Sequence, residues 1–227
     1  MFVLNPSKRV KVHHRYQHLY SPVVYAFYSL YLIYVKDFQI HAIHRFGNKV
    51  INEHQTKEWV VLVVTKLFYF SYSFVIPLSV LNVPWWHVVL MYLVMHFIIG
   101  LTMAFILGPV HITEEGAYTF PDSEGKINNC WAKHQIESTI DFAADSVLMG
   151  WFSGGLNTHI AHHIFPNICH IHYRPLTRII RQTAREYDVR YSNKSLIGAV
   201  MAHLKFLKDL GRGESEYTLN GTYGKVH

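Results

Sequence analysis

Residues 59–81 read WVVLVVTKLFYFSYSFVIPLSVL and residues 84–110 read PWWHVVLMYLVMHFIIGLTMAFILGPV, with only Asn82 and Val83 between them. A helix needs roughly 20 residues at about 1.5 Å rise to cross about 30 Å of hydrocarbon, and both stretches are long enough. Pro84 opens the return, so the pair predicts a transmembrane helical hairpin. Trp59, Trp85 and Trp86 stand at the segment ends, where amphipathic rings favour the interface. The rest of the 227-residue chain agrees. Half of it is hydrophobic and only 16% is charged, below the roughly 25% of soluble domains, and mean hydropathy is slightly positive. The expected class is an all-α integral membrane protein with a sizeable polar part and no nucleic-acid partner.

Lysine and arginine set the orientation. Lys8, Arg9, Lys11 and Arg15 precede residue 20; Arg45, Lys49 and Lys57 lie in 37–58; twelve more follow residue 110; the hairpin tip has none. The positive-inside rule then places 1–19, 37–58 and 111–227 in the cytoplasm. The stretch YSPVVYAFYSLYLIYV (20–35) has both flanks inside, so it is expected to be an interfacial or re-entrant helix. The alternative is a third span, which would invert the hairpin. Lys66 falls about 10 Å inside the first span; such a charge snorkels or faces the protein interior. His96, mid-span in the second, reads as a hydrogen-bonded interior histidine.

Residues 111–211 are expected to form a cytoplasmic helical cap, and 212–227 a flexible tail. CWAKHQIESTIDFAADSVLMGWF (130–152) has near-helical apolar spacing, and Gly154-Gly155 breaks it. RPLTRIIRQTAREY (174–187) is amphipathic, with Arg174, Arg178, Arg181 and Arg185 in one stripe. The stripe is either a solvated face or a contact for phosphates or an acidic partner. SLIGAVMAHLKFLKDLG (195–211) is a last helix with a glycine stop. Cys130 and Cys169 form no CxxC pair and read as free thiols. The basic start MFVLNPSKRVKVHHR has no long apolar core and does not read as a signal peptide.

There are 17 histidines against 15 acidic residues. Three of them lie in GGLNTHIAHHIFP (154–166). His159, His162 and His163 are spaced i, i+3, i+4, which on a helix presents three imidazoles on one face. Such a face suits a metal, and imidazole alone does not choose among iron, zinc, copper and nickel. His111, at the end of the second span, is a candidate further ligand, and Glu114 and Glu115 follow it. Cys169, His170 and His172 lack the paired spacing of a zinc finger. His13, His14 and His18 could reach the same face; in a basic stretch they are weak candidates.

GGLNTHIAHHIFPNICHIHY resembles the third histidine box of membrane fatty acid desaturases, in the front-end and bacterial acyl-CoA branch. HRYQHLYSP (14–22), KDF (36–38), VHITEE (110–115), WAKHQ (131–135) and HLKFLKDLG agree in order. The resemblance implies a non-haem di-iron centre that uses O2 to place a cis double bond in an acyl chain. It implies His159, His162, His163 and His111 as iron ligands, with Asn157, His134, Glu114 and Glu115 as possible supporting residues. The substrate would be an acyl-CoA or acyl-lipid in a membrane, and the electron donor cytochrome b5-like or ferredoxin-like. The family's first and second boxes, HxxxH or HxxxxH and HxxHH, have no match here. The chain is therefore expected to be one partial desaturase-like domain, the C-terminal portion of a longer protein or a truncated form inactive alone. A histidine-box membrane hydroxylase and a non-catalytic remnant are the alternatives.

Overall fold

The computed structural model describes residues 2–4, 10–42, 45–46, 49–50, 56–113, 124, 126, 130–213, 217–219 and 222–224. The protein is mostly helical, as expected. The chain divides into two compact units, residues 22–102 and residues 1–21 with 103–227.

In the first of these units, entered from the other at residue 22, the helical run that contains 20–35 is longer than expected. It covers 17–42 and comprises α1 (Gln17–Ala26), α2 (Tyr28–Tyr31), a π-helical stretch Leu32–Lys36 and α3 (Asp37–Ala42). A short antiparallel pair follows, β1 (Arg45–Phe46) with β2 (Lys49–Val50). Next come α4 (Thr56–Phe70), a π-helical stretch Ser71–Val75 and α5 (Ile76–Val80). The widened turn falls just before Pro77, whose ring would strike the Ser73 carbonyl in regular α-geometry. Then α6 (Trp85–His111) runs unbroken for 27 residues, about 40 Å at helical rise. Among the described residues, Thr56–Val80 and Trp85–His111 are the helices long and apolar enough to cross a membrane. Within their most apolar windows only 6% and 17% of residues are buried, so their apolar surface faces out and a soluble core is not what holds them.

Polar groups of this unit pair with one another. The Ser29 hydroxyl donates to the His96 carbonyl at 2.8 Å. Its one hydrogen being used, Ser29 Oγ accepts from His96 Nδ1 at 3.0 Å, and Nε2 accepts from Tyr69 at 2.7 Å. His96 is thus a hydrogen-bonded interior histidine, as expected. Lys66 Nζ meets Asp37 Oδ2 at 2.5 Å; an ion pair, and not a solvated head alone, neutralises the charge in the first long helix.

The other unit carries α7 (Trp131–Glu137), β3 (Asp141–Phe142), α8 (Val147–Phe152), α9 (His159–Ile164), α10 (Tyr173–Glu186), β4 (Asn193–Lys194) and α11 (Leu196–Arg212). The single helix expected over 130–152 is a correction: Ser138 to Ser146 are not helical. Instead β3 pairs in parallel with β4, and Ala143 takes a left-handed φ of 44°. The apolar spacing that mimicked a helix splits between two jobs. Ile140 and Phe142 are fully buried beside Val110 and Ala199, whereas Leu148 and Trp151 are 71% and 80% exposed. A second core joins Ile160, Ala161, Tyr173 and Ile180.

Ser195 caps α11 by accepting from Gly198 N at 3.0 Å, and Gly213, with φ 72°, ends it. The stop is therefore Gly213, not Gly211. Gly211 is needed for a different reason, since a Cβ there would overlap the His14 carbonyl. Residues 12–16 thereby lie against α11. Gln17, fully buried, donates to the carbonyls of Leu207 and Val3 and accepts from Val3 N. In the tail, β5 (Tyr217–Leu219) pairs antiparallel with β6 (Thr222–Gly224).

Candidate metal centre

The box begins with a turn that only glycine makes cheaply. Gly154 and Gly155 have φ of 60° and 81°, left-handed values that cost other residues dearly. A Cβ on Gly155 would also come within 2.9 Å of the His170 side chain. The turn is closed by Thr158 Oγ1 donating to the Gly155 carbonyl at 2.8 Å. Asn157, buried, donates from Nδ2 to the Ala143 carbonyl at 3.1 Å and accepts from Ser153 Oγ at 3.2 Å. GGLN is thus the mount of α9, and Asn157 stabilises the mount without a hydrogen bond to an imidazole.

Asp141 fixes the first turn of α9. Its carboxylate is fully buried between β3 and that turn. Oδ1 accepts from Ile160 N at 2.9 Å and Oδ2 from the Tyr191 hydroxyl at 2.6 Å. A helix leaves its first amide hydrogens unpaired, and a carboxylate there satisfies one and complements the dipole. Burial pushes Asp141 up to about 6, against the pull of the Tyr191 and Ile160 hydrogen bonds. The ring of Tyr191 in turn lies under the Arg181 guanidinium, 5.4 Å from its centroid.

Across α9, His159 is buried and His162 and His163 are half-buried. His111, from the end of α6, completes the group. The Nε2 atoms of His111 and His159 are 2.9 Å apart. Ring centroids of His111, His159 and His163 lie 4.7 to 5.0 Å from one another, and one ligand atom from each falls within 4.8 Å of the others. His162 stands beside them, 5.3 Å from the His159 ring, with Nδ1 3.1 Å from the Tyr173 hydroxyl. His163 Nδ1 donates to Gln135 Oε1 at 2.9 Å. That bond sets the tautomer and leaves Nε2 with a free lone pair, the usual support for a metal-binding imidazole. Burial first, then the neighbouring imidazoles, pushes His159 down to about 3 and lowers His163 as well. Both are neutral at neutral pH, the form that binds metals.

The end of α6 is held where His111 needs it. His203, fully buried, donates from Nδ1 to the Ile112 carbonyl at 2.8 Å, and Ile140 N donates to the Val110 carbonyl at 3.1 Å. These satisfy carbonyls that a helix end leaves open.

Four sequence expectations are redistributed. His134 is on α7, but its neighbour Gln135 makes the contact with the cluster. Glu114 and Glu115 lie outside the described residues. His14 and His18 sit with α11, not the cluster. The arginine stripe divides: Arg174 donates to the Asp145 carbonyl and Arg181 pairs with the Asp145 carboxylate, while Arg178 and Arg185 are exposed. Sequence reasoning missed Asp141, Gln135, Tyr173, Tyr191 and His203. A usable signal existed for two of them. Asp141 is a lone acid between Ile140 and Phe142, and Gln135 ends the quoted WAKHQ.

The family model described as fatty acid desaturase matches residues 4–195. The chain belongs to the fatty acid desaturase family. It is 34% identical over 211 residues to an acyl-lipid (8-3)-desaturase of Physcomitrium patens, covering 92% of this chain and 43% of that protein. It is 31% identical over 198 residues to an sn-1 linoleoyl-lipid 6-desaturase of Synechocystis sp., covering 86% and 53%. A third relative, an acyl-lipid (8-3)-desaturase of Mortierella alpina, is 30% identical over 210 residues, covering 92% and 46%. The chain therefore spans about half the length of these desaturases. No solved structure matches. The desaturase match includes both long apolar helices, the whole of α9 and the residues that hold it.

Proposed function

We propose that this chain is the C-terminal portion of a membrane fatty acid desaturase, with iron held in part by His111, His159, His162 and His163. The observation that carries the proposal is the convergence of His111, His159 and His163 beside a Gln135-locked tautomer, in a chain of this family. Chemically the donor set fits: neutral imidazoles suit a divalent metal, and three of them share one focus. Bound iron supplies, with O2, the oxidising power to break unactivated C–H bonds. In balance, a –CH2–CH2– unit, O2, two electrons and two protons give a cis –CH=CH– unit and two waters. The electrons come from a cytochrome b5-like or ferredoxin-like donor.

The chain's own residues do the preparatory work. Asp141 and the glycine turn fix α9, Gln135 and Tyr173 orient two imidazoles, and burial keeps His159 unprotonated. We place the cluster on the cytoplasmic face of the hairpin, following the basic flanks, and read residues 20–35 as a re-entrant helix, which the hydrogen bonds of Ser29 to mid-span His96 support. Arg178 and Arg185 face solvent and are available to a donor protein or to phosphates. The two irons of the family need more ligands than these four, in keeping with a chain half the length of its relatives.

Metal analysis of the purified full chain tests the proposal. Iron bound at stoichiometric level, and lost in H159A with the fold retained, supports it. Iron content indifferent to H159A and H163A overturns it. Mass spectrometry of acyl products, from the chain together with any further segment it requires, reads desaturation directly.

A further inference from the structure

Between the start of α1 and α11, away from the histidine cluster, lies an open groove of about 640 Å3. Part of its lining is apolar and exposed: Leu19 and Met201 are 64% and 60% exposed. Lys194, Lys205 and Lys208 line the same groove beside His18. Met201, Lys205 and Lys208 follow at i, i+4 and i+7, one face of a helix. Nδ1 of His18 is buried and makes no hydrogen bond. Asp209 is the acidic side chain whose field reaches His18, against Lys208 and Arg212. The groove lining therefore combines ammonium groups with exposed apolar side chains.

We propose that this groove holds the phosphodiester headgroup of an anionic phospholipid. The phosphodiester sits against the three ammonium groups, and the first carbons of its chains cover Leu19 and Met201. Two features favour a lipid over a free phosphate. Inorganic phosphate would leave the exposed Leu19 and Met201 uncovered, and the chain carries two helices suited to a bilayer, which brings lipid to it at high local concentration. Lysine is a compact, strongly hydrated charge that binds phosphate without demanding a fixed fork geometry. A cluster of such residues gains favourable energy at an anionic lipid surface. The inference does not depend on the metal or on the reaction.

The test is native mass spectrometry of the metal-stripped full chain, released from micelles containing equal amounts of phosphatidylglycerol and phosphatidylcholine. The native chain is expected to retain phosphatidylglycerol preferentially. K205Q/K208Q should weaken that retention about tenfold, while K126Q/R190Q, which removes the same charge elsewhere, should not. K194Q gives a single-site check that leaves α11 untouched. Equal retention of the two lipids overturns the proposal, as does an equal loss in the K126Q/R190Q control. Displacement of the lipid by millimolar inorganic phosphate would also overturn it, by making the groove a free-phosphate site. Because metal is absent throughout, failure here leaves the desaturase reading standing, and loss of iron binding leaves this one standing.

Discussion

In residues 22–102 the large apolar side chains face outward, and the polar ones, Ser29, Tyr69, His96, Lys66 and Asp37, turn toward each other. In residues 103–213 the order reverses: Ile140, Phe142, Ile160 and Leu207 are fully buried, and charge lies mostly on the surface. The exception in the second unit is Asp141, a buried carboxylate with both oxygens engaged. The two units show one rule under two solvents. A polar group out of reach of water must find a partner; in one unit the partner completes a helix pair, and in the other it aims a histidine helix.

The strongest way to break that comparison is Asp141→Ala. It strands the Ile160 amide and the Tyr191 hydroxyl inside the core, each costing about 1–3 kcal/mol. We expect a loss of about 3 kcal/mol in the histidine-bearing unit, seen as faster hydrogen exchange over 139–194 with little change over 60–100. Unchanged exchange in both regions would remove Asp141 from its assigned place. Next comes Gln135→Ala, which frees the His163 ring and should weaken metal binding about tenfold or more. His134→Ala should leave that affinity alone, and titration with Co(II) followed by its visible spectrum reads both.

Smaller effects sharpen the other side. Tyr69→Phe removes the donor to His96 Nε2, a bond between helices of a type worth about 0.6 kcal/mol in a membrane setting. The expected outcome is a slight drop in thermal stability in detergent with metal content unchanged. A large loss of metal would contradict the separation between the two regions. The smallest effect is with pH. His14 and His18 are both held below the ordinary histidine value, burial being the first cause in each; His13 and Lys11 add to it at His14, Lys208 and Arg212 at His18. A lowered histidine value means the unfolded segment binds protons first. The docking of residues 12–18 on α11 is thus complete above about pH 6.5 and weakens as pH falls below it. Amide exchange in 12–18 and 203–211 at pH 7.5 and pH 5.5 measures this, and faster corrected exchange at the higher pH would reverse the sign.

Much of the architecture was legible from the chain alone. The two long apolar runs, the glycine pair before the box, the i, i+3, i+4 histidines and the last helix are all local patterns, written in neighbouring residues. The break at 138–146 was not legible. Ile136, Ile140 and Val147 keep helical spacing, and only pairing with Asn193 and Lys194, some fifty residues on, draws Asp141 and Phe142 into a strand. The contact of Gln135 with His163 was not legible either. Residue type suggests a histidine, but the rotation of α7 against α9 decides which side chain faces His163.

By itself the sequence determined the helical class, the pair of long apolar helices and the shared face of the i, i+3, i+4 histidines, because hydrophobic period and residue spacing act over a few residues. Tertiary structure alone decided which groups aim those imidazoles. Asp141, Tyr191, Tyr173 and His203 come from distant points of the chain, and their roles exist only where burial removes water and leaves each polar atom a single partner.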